Sequence, residues 1–330
     1  MKPLPLIQFT EKGFYCAPAD VYIDPWKAVP NAMITHAHAD HARSGMGLYI
    51  SHPLTIAILQ HRISKKIQAQ TVEYGEVLEK NGVKFSFHPA GHVMGSAMIR
   101  VEYQGEIWVL SGDYKMQDDG FTPIGDVPKC HHFITESTFG LPIFDWQPQQ
   151  QIVDDITKWH EFNTSTGQHS VILGYSLGKA QRLAYQLRHL NVFEHPVIHA
   201  MHTHMRLFGI PVPEHPLATK EAIKASGQPA MIIAPPGVSG TDWLNQFEPY
   251  SLGNASGWMA LRGNRRRINA DRGFAMSDHA DWKGLLEAVK QSEAEHIYVT
   301  HGYSDTFAKY LREKGWDARE VKTAYAAEED

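Results

Sequence analysis

The hydrophobic positions in the first 140 residues fall into short runs separated by Pro, Gly and Asp, a pattern typical of β-strands. In this part of the chain, the window 53–63 has helical spacing. Many short strands with few helices indicate stacked sheets with helices outside them. The predicted strands are Val21–Ile23, Met33–Thr35, Leu48–Ser51, Val83–His88, Ala97–Tyr103, Ile107–Leu110 and His132–Thr135.

The pattern changes near residue 150, where buried strands begin to alternate with helices. This alternation predicts a parallel, doubly wound unit. The predicted elements are helix Ile152–Phe162, strand Val171–Gly174, helix Lys179–Leu190, strand Ala230–Ala234, strand Gly273–Met276, helix Trp282–Ser292, strand His296–Thr300 and helix Thr306–Lys314.

Length and charge limit the functional classes. At 330 residues the chain is long enough for two domains of about 150 residues each. It carries 31 Lys and Arg against 36 Asp and Glu, a net charge of −5, so a polyanion site must be a local concentration of positive charge. Cys16 and Cys130 provide no disulfide framework. The first residues lack a secretory pattern and no apolar run has membrane-spanning length, so we expect a cytoplasmic protein without membrane segments.

Residues 35–41, with the sequence THAHADH, directly follow an apolar run. His36 and His38 alternate and can point the same way, while Asp40 and His41 can turn toward a neighbouring position. Three imidazoles and one carboxylate in so short a stretch suit a divalent ion such as zinc. The alternative, a solvated histidine-rich turn, is weakened because further ligand types occur at predicted turns or strand ends, namely His92, Asp113 and His301.

This HxHxDH run, followed by GH at 91–92, GD at 112–113 and HG at 301–302, resembles the signature of the metallo-β-lactamase superfamily. The resemblance implies two divalent ions, Zn²⁺ or Mn²⁺. It assigns His36, His38 and His92 to one ion, Asp40, His41 and His301 to the other, and Asp113 as the bridge. It also matches Asp24 to an early aspartate that braces the ligand loop. A turn carboxylate before Pro25 is the alternative for Asp24.

The ligand types favour hydrolysis over a structural role. A structural zinc site is closed and usually has cysteine ligands, whereas this set has none and leaves room for water. A bound metal lowers the pKa of water from about 15.7 to about 7, and two ions suit an in-line displacement at phosphorus. The ligands alone do not choose a phosphodiester over a thioester or a lactam.

Further segments resemble the β-CASP branch of that superfamily, whose members insert a second domain and cut nucleic acid. Residues 135–140, TESTFG, resemble motif A with Glu136 as its carboxylate, and residues 277–281, SDHAD, resemble motif B with His279. His301 occupies motif C. The resemblance implies that His279 protonates the leaving oxygen, held by Glu136, and that Asp40 belongs with them to the catalytic residues. A helix-capping or packing role for His279 is the alternative.

Two segments could bind the substrate backbone. Residues 174–181, GYSLGKAQ, resemble the turn that opens the inserted domain, and Ser176, Gly178 and Lys179 could present N–H groups and charge to a phosphate. An ordinary helix start is the alternative. A basic strip before motif B could follow a phosphate backbone, or be a solvated loop. It contains Arg262, Arg265, Arg266, Arg267 and Arg272.

We therefore expect an α/β protein with a four-layered αββα metallo-β-lactamase fold and an inserted β-CASP α/β domain. The predicted bounds are 1–165 and 271–330 for the catalytic domain and 166–270 for the insertion. The whole-chain pattern most resembles bacterial ligase-associated DNA exonucleases, which implies end-directed DNA degradation in repair, alongside an ATP-dependent DNA ligase and a helicase.

Other functions remain open. His301 matches RNase J and the pre-mRNA cleavage endonuclease, whereas Artemis-type DNA nucleases have valine there, so an RNA-processing nuclease is the main alternative. A catalytically dead binding subunit would have lost ligands that this chain keeps. A glyoxalase-type thioesterase would lack the insertion, Glu136 and His279. The run His199, His202 and His204 has no acidic ligand, so we expect a structural or substrate-contacting role for it.

Overall fold

The computed structural model describes residues 5–261 and 270–324. The chain divides into two compact units, one made of the residues up to Asp145 and from His279 onward, the other of Trp146–Asp278. The sequence-based boundaries lie at 165/166 and 270/271. They differ from the unit boundaries because the helix that precedes residue 166 places its apolar side in the core of the second unit. The assignment of the two domains as catalytic and inserted stays a prediction.

The elements of the described chain are as follows. The strands are β1 Ile7–Thr10, β2 Gly13–Cys16, β3 Val21–Ile23, β4 Asn31–Met33, β5 Leu48–Ser51, β6 Ala69–Thr71, β7 Val77–Lys80, β8 Val83–Pro89, β9 Ala97–Tyr103, β10 Glu106–Leu110, β11 His132–Thr135, β12 His169–Leu173, β13 Val192–Glu194, β14 Met231–Ala234, β15 Tyr250–Ala255, β16 Arg272–Phe274, β17 His296–Val299 and β18 Asp317–Glu320. The α-helices are α1 Pro53–Arg62, α2 Gln149–Ser165, α3 Lys179–Gln186, α4 Pro196–Leu207, α5 Lys220–Ser226, α6 Asp242–Asn245, α7 Trp282–Ser292 and α8 Ser304–Glu313.

The first unit contains two sheets that pack face to face. One has the order β1-β2-β3-β4-β5-β6 and the other the order β18-β17-β11-β10-β9-β8-β7. A continuous apolar core lies between them, with Met33 from the first sheet and Phe85, Phe87 and Trp108 from the second. Burial of these side chains is the main favourable contribution to the packing of the two sheets.

Helices cover the outer faces of both sheets. α1 packs beside β5 and β6, and its first turn begins at Pro53, where a proline is favoured because its missing N–H would be unpaired anyway. α7 and α8 pack on the other sheet through Leu285, Phe307 and Leu311, all fully buried. The predicted four-layered αββα arrangement is confirmed.

The second unit is a parallel sheet with the order β13-β14-β12-β15-β16. Its two faces are covered by separate apolar clusters. Ile156 of α2 and Leu183 of α3 contribute to one, and Ile223 of α5 and Leu244 of α6 contribute to the other. Burial on both faces explains why the central strands β12 and β14 are nearly continuous apolar runs rather than alternating ones.

Strand direction in the second sheet of the first unit gathers several loops at one edge. β10, β11 and β17 are parallel neighbours, and β8 runs in the same direction as β10 because β9 is antiparallel to both. The loops that follow β8, β10, β11 and β17 therefore leave the sheet at the same edge. The predicted ligands His92, Asp113 and His301 lie on these loops.

Several predicted elements differ in extent, among them β4 and α3. β4 ends at Met33 rather than Thr35, because the Thr35 N–H donates to the side chain of Asp24 at 2.8 Å instead of to a neighbouring strand. α3 ends at Gln186, four residues before the predicted end, and α4, α5 and α6 were not predicted. Within the described ranges, no helix combines the length and apolar character needed to cross a membrane.

Candidate metal centre

The candidate ligands of the first group meet at the strand ends of the first unit. His36 and His38 follow β4, His92 follows β8 and Asp113 follows β10. Their ligand atoms all lie within 4.8 Å of one another. His36 Nε2 is 3.4 Å from Asp113 Oδ2, and His92 Nε2 is 3.8 Å from that oxygen and 3.0 Å from His38 Nδ1.

The second group lies beside the first. It consists of Asp40, His41 and His301, with His41 Nε2 at 3.6 Å and His301 Nε2 at 3.5 Å from Asp40 Oδ2. His41 Nε2 is also 3.4 Å from Asp113 Oδ2. One oxygen of Asp113 therefore lies equally close to a histidine of each group, as a bridging ligand requires.

These separations have the size expected for atoms that share an ion. Two nitrogen ligands at about 2.05 Å from a tetrahedral zinc ion are about 3.3 Å apart. Most of the distances given above are longer than a normal hydrogen bond. They are close to the distance between two ligand atoms of one ion. The groups therefore fit divalent ions in geometry as well as in ligand type.

Buried polar atoms support the same conclusion. His36 Nδ1 lies 3.0 Å from Thr35 Oγ1, and because this hydroxyl donates to Asp24, it accepts the Nδ1 proton of His36. The buried His36 Nε2 then carries a lone pair, and it makes no hydrogen bond among the residues that the structure describes. The buried Asp40 Oδ2 likewise makes no hydrogen bond among these residues. Buried polar atoms are seldom left unsatisfied, and a metal ion would satisfy both.

The electrostatics of the pocket also call for a cation. Burial, reinforced by the neighbouring His41, lowers the pKa of His36 well below its ordinary value, so this imidazole is neutral and ready to coordinate. Burial acts in the same direction on His41, but Asp113 and Asp40 outweigh it and raise the pKa of His41 well above its ordinary value. The two carboxylates are almost completely buried, where negative charge needs compensation. The residues form a site for divalent metal.

Asp24 holds the ligand loop from behind. Its carboxylate accepts from the backbone N–H of Thr35 at 2.8 Å and from the Thr35 hydroxyl at 2.6 Å. The second of its oxygens also lies 2.8 Å from His41 Nδ1. This contact places the proton of His41 on Nδ1 and leaves Nε2 for the metal, which is the usual arrangement of a carboxylate behind a metal-binding histidine.

Glu136 and His279 lie beside the ligand groups, and their ligand atoms and one of Asp113 lie within 4.8 Å of one another. His279 Nδ1 is 2.9 Å and 3.0 Å from the two oxygens of Glu136, and one of these oxygens also accepts from the N–H of Tyr114 at 2.8 Å. Both side chains are buried, and the ring of His279 lies 4.6 Å from that of His92. Asp281, not His279, caps α7 by accepting from Gly284 N at 2.7 Å. The helix-cap alternative for His279 is therefore wrong.

Close backbone packing fixes the loops that carry Asp113 and His301. Gly112 has φ +55°, and a Cβ at this position would lie 2.5 Å from Thr35 Oγ1. Gly302 has φ +62°, and its Cβ would lie 2.4 Å from Thr138 Cα. Only glycine satisfies both the left-handed backbone and the lack of space at these positions. The glycines of the GD and HG pairs thus allow close approach of neighbouring loops.

The predicted substrate-binding turn lies in the second unit. Ser176 is half-buried, and the Lys179 side chain is 1% exposed, with Nζ 5.6 Å from the Tyr175 ring. The N–H of Gly178 donates to Gln181 Oε1 at 2.6 Å, so it is engaged within the protein. The roles of Ser176, Gly178 and Lys179 in binding substrate remain predictions.

His202, from the histidine run on α4, belongs to a buried network. His202 Nδ1 is 2.7 Å from Glu194 Oε1, and His202 Nε2 is 2.8 Å from Gln181 Nε2. Gln181 Nε2 also donates to the Ser176 carbonyl at 2.8 Å. Since an amide nitrogen only donates, His202 carries its proton on Nδ1 and accepts at Nε2. In the described chain, no group of three metal-ligating side chains includes His199, His202 or His204.

Most of the predicted basic strip, namely Arg262, Arg265, Arg266 and Arg267, lies outside the described residues. Arg272 begins β16 and is exposed. Sequence reasoning missed the supporting roles of Thr35, Gln181 and Glu194. Thr35 could have been found, since it directly precedes the first ligand, but no local signal links Gln181 to Glu194.

A family model for the "Zn-dependent metallo-hydrolase RNA specificity domain" matches residues 267–319. This segment carries His279 and His301. Among solved structures, a protein of unknown function from Enterococcus faecalis V583 is similar, with a TM-score of 0.62, 11% sequence identity and coverage of 91% of this chain and 80% of that chain. At this identity the likeness supports the fold alone.

The chain is also similar to curated proteins. It is 29% identical over 312 residues to a "Probable DNA ligase" from Opitutus terrae, a match that covers 93% of this chain and 30% of that protein. It is 32% identical over 116 residues to the endoribonuclease YSH1 of Kluyveromyces lactis, which covers 34% of this chain and 15% of that protein. The chain therefore spans less than a third of the length of either relative.

The αββα layers and a divalent-metal site of five histidines and two aspartates at the strand ends are consistent with a metallohydrolase of the metallo-β-lactamase fold. The matching family model and the similar proteins support a metal-dependent nuclease of the metallo-β-lactamase and β-CASP type.

The contacts of Asp24 lead to a prediction about metal affinity. Asp24→Asn keeps the size of the side chain but removes the charge that orients His41. We expect the metal affinity to fall by about 10–100-fold, with the fold retained. Titration against a competing chromogenic chelator measures this change. Asp20→Asn is the matched control, because Asp20 is exposed and, like Asp24, has a positive φ. Equal affinities of the two variants would show that Asp24 does not support the site.

Proposed function

We propose that this chain is a two-metal phosphodiesterase that degrades DNA from an end, as an exodeoxyribonuclease in DNA repair. The observation that carries the proposal is the buried pair of Glu136 and His279 beside the ligand groups. Metal ligands alone suit many hydrolases, whereas an added histidine held by a carboxylate suits a reaction with a poor leaving group.

The proposed ligand division follows the two groups of side chains. His36, His38 and His92 would hold one ion, Asp40, His41 and His301 would hold the other, and Asp113 would serve both. Zn²⁺ or Mn²⁺ would fit the nitrogen and oxygen donors. When bound, such ions supply Lewis acidity, which polarises phosphoryl oxygens and makes water acidic enough to act as a nucleophile near neutral pH.

His279 is the proposed general acid. Its Nδ1–H donates to Glu136, so Nε2 is the atom that can hold a second proton. As the P–O bond breaks, the electron pair goes to the leaving oxygen and this oxygen takes the proton from Nε2. Glu136 favours the imidazolium form through its charge, and it is held in place by the N–H of Tyr114.

The support for DNA comes from the extent of similarity. The relative named as a probable DNA ligase matches nearly the whole chain, whereas the endoribonuclease matches about a third of it. We further propose that the protein acts in the cytoplasm together with an ATP-dependent DNA ligase and a helicase.

An RNA-processing nuclease of the RNase J or pre-mRNA cleavage type is the second candidate. It is favoured by the description of the matching family model and by the YSH1 similarity. His301 supports it as well, since histidine at this position resembles RNase J and the pre-mRNA cleavage endonuclease, whereas Artemis-type DNA nucleases have valine there.

The first prediction concerns metal stoichiometry. Protein stripped with a chelator and reloaded with Zn²⁺ or Mn²⁺ should contain two ions per chain by elemental analysis. His38→Ala should hold fewer ions, while His61→Ala, at an exposed position of α1, should still hold two. A saturated wild-type protein with one ion would contradict the assignment.

The second prediction concerns the substrate. Linear single-stranded DNA should be degraded, and a circular strand of the same sequence should resist, because an exonuclease needs an end. Gel analysis with metal present measures both rates. Rapid cutting of circles would indicate an endonuclease, and faster degradation of RNA of matched sequence would favour the RNA candidate.

The third prediction concerns His279. His279→Ala should retain both ions and bind DNA, but turnover should fall by about 10²–10⁴-fold, the usual value of a positioned proton donor. A substrate with sulfur in place of the leaving oxygen needs little protonation and should recover most of the rate. Glu136→Gln should show the same rescue to a smaller extent. Loss of metal from His279→Ala, or no rescue by sulfur, would make His279 a ligand or a scaffold residue.

A further inference from the structure

A groove of about 420 Å³ lies on the first unit, where α7 and the end of α8 meet at the surface. It belongs to none of the ligand groups described above. Its lining residues are Lys283, Leu286, Glu287, Lys290, Tyr310, Lys314 and Trp316.

The groove combines an apolar floor with a basic rim. Leu286, Tyr310 and Trp316 are half-buried and form the floor, where they pack on the core beneath. The exposed side chains of Lys290 and Lys314 belong to the rim. On α7 the lining positions recur at spacings of three, four and seven residues, so they occupy one face of the helix.

The charge of this rim is largely uncompensated. Among the described residues, neither Lys290 nor Lys314 makes an ion pair, and Lys314 Nζ lies 5.6 Å from the Tyr310 ring centre. Lys283 pairs with Asp145 at 2.8 Å, but both side chains are exposed. Glu287 accepts from Gln291 at 3.1 Å. The lining therefore carries three positive charges against one negative charge.

We propose that this groove binds a single-stranded segment of the nucleic-acid substrate outside the catalytic centre. Lys290 and Lys314 contact phosphates, and the half-buried indole of Trp316 stacks on a base. Uncompensated lysines beside aromatic faces are the combination that single-strand-binding proteins use. This inference rests on the proposed nuclease function. It adds that substrate binding depends on the length of the strand.

The position of α7 determines which substrates reach the groove. The helix begins three residues after His279, and Lys283 and Lys290 are two helical turns apart, about 10 Å along its axis. A strand that enters the catalytic centre must therefore extend by several nucleotides before it meets Lys290. Short substrates cannot use this contact, and long ones can.

The test compares Lys290→Gln/Lys314→Gln with the single control Lys309→Gln. Lys309 is an exposed lysine of α8 that does not line the groove. Binding of a labelled single-stranded 30-mer is followed by fluorescence anisotropy at several salt concentrations, with a chelator present to prevent cleavage. Turnover of a long strand and of bis(p-nitrophenyl) phosphate is measured separately with metal.

We expect the double variant to bind the 30-mer about 10-fold more weakly, with the salt slope reduced by about 1.4, since each phosphate contact on a single strand contributes about 0.7. Its turnover of the small phosphodiester should equal that of the wild type. Trp316→Ala should weaken binding by about fivefold or more, and Trp316→Phe by less, because phenylalanine keeps a stacking face.

Unchanged binding in the double variant, with normal binding by the wild type, would overturn the inference and leave an acidic protein segment as the candidate occupant. An equal loss in Lys309→Gln would also overturn it, because the effect would then be general charge. If the wild type neither binds nor cuts any nucleic acid, the proposed function itself is wrong. A melting temperature for each variant separates a loss of binding from a loss of folding.

Discussion

The structure depends on compensating the negative charge of carboxylates that are buried at one sheet edge. Asp40 and Asp113 are almost completely buried, a location that a carboxylate tolerates only with a cation or strong hydrogen bonds nearby. The surrounding histidines supply lone pairs rather than charge when they are neutral, so the full neutralisation comes from divalent ions. Ligand geometry, histidine tautomers and the packing of the loops all follow from this requirement.

The fold meets this requirement through strand direction. Parallel strands deliver Asp113, Glu136 and His301 to the same edge, and the facing sheet brings the remaining histidines of the ligand loop opposite them. Neither sheet contributes a complete site. The apolar core between the sheets therefore has a chemical role, because it keeps two incomplete halves in register.

Much of the centre could be predicted from the sequence, because its ligands follow apolar runs and belong to chemically distinctive residue types. Individual strands were harder to predict. β6 is a polar segment whose three residues are all exposed, so it has no alternation to detect. α4 was missed because its histidines suggested chemistry rather than a helix, although His195 and Pro196 form a good helix start.

The predicted substrate turn shows a different limit. Lys179 in a small-residue turn suggests an exposed cation, yet its side chain is buried, and Gly178 donates to Gln181. These facts depend on packing within the second unit. There Gln181 contacts His202 of α4, which lies 21 residues further along the chain. Local spacing carries no information about such contacts.

The order of the ligands along the chain has a consequence for biosynthesis. His279 and His301 follow residues 146–278 of the second unit. The strand that precedes His301 pairs with β11, and Thr300 donates to the carbonyl of Thr135, 165 residues earlier. A ribosome has therefore made both aspartates and the ligand loop long before it makes the last imidazoles. Such distant pairing forms late and slowly. A nascent chain that has not yet reached residue 301 therefore lacks part of the ligand set, however completely its first sheets have formed.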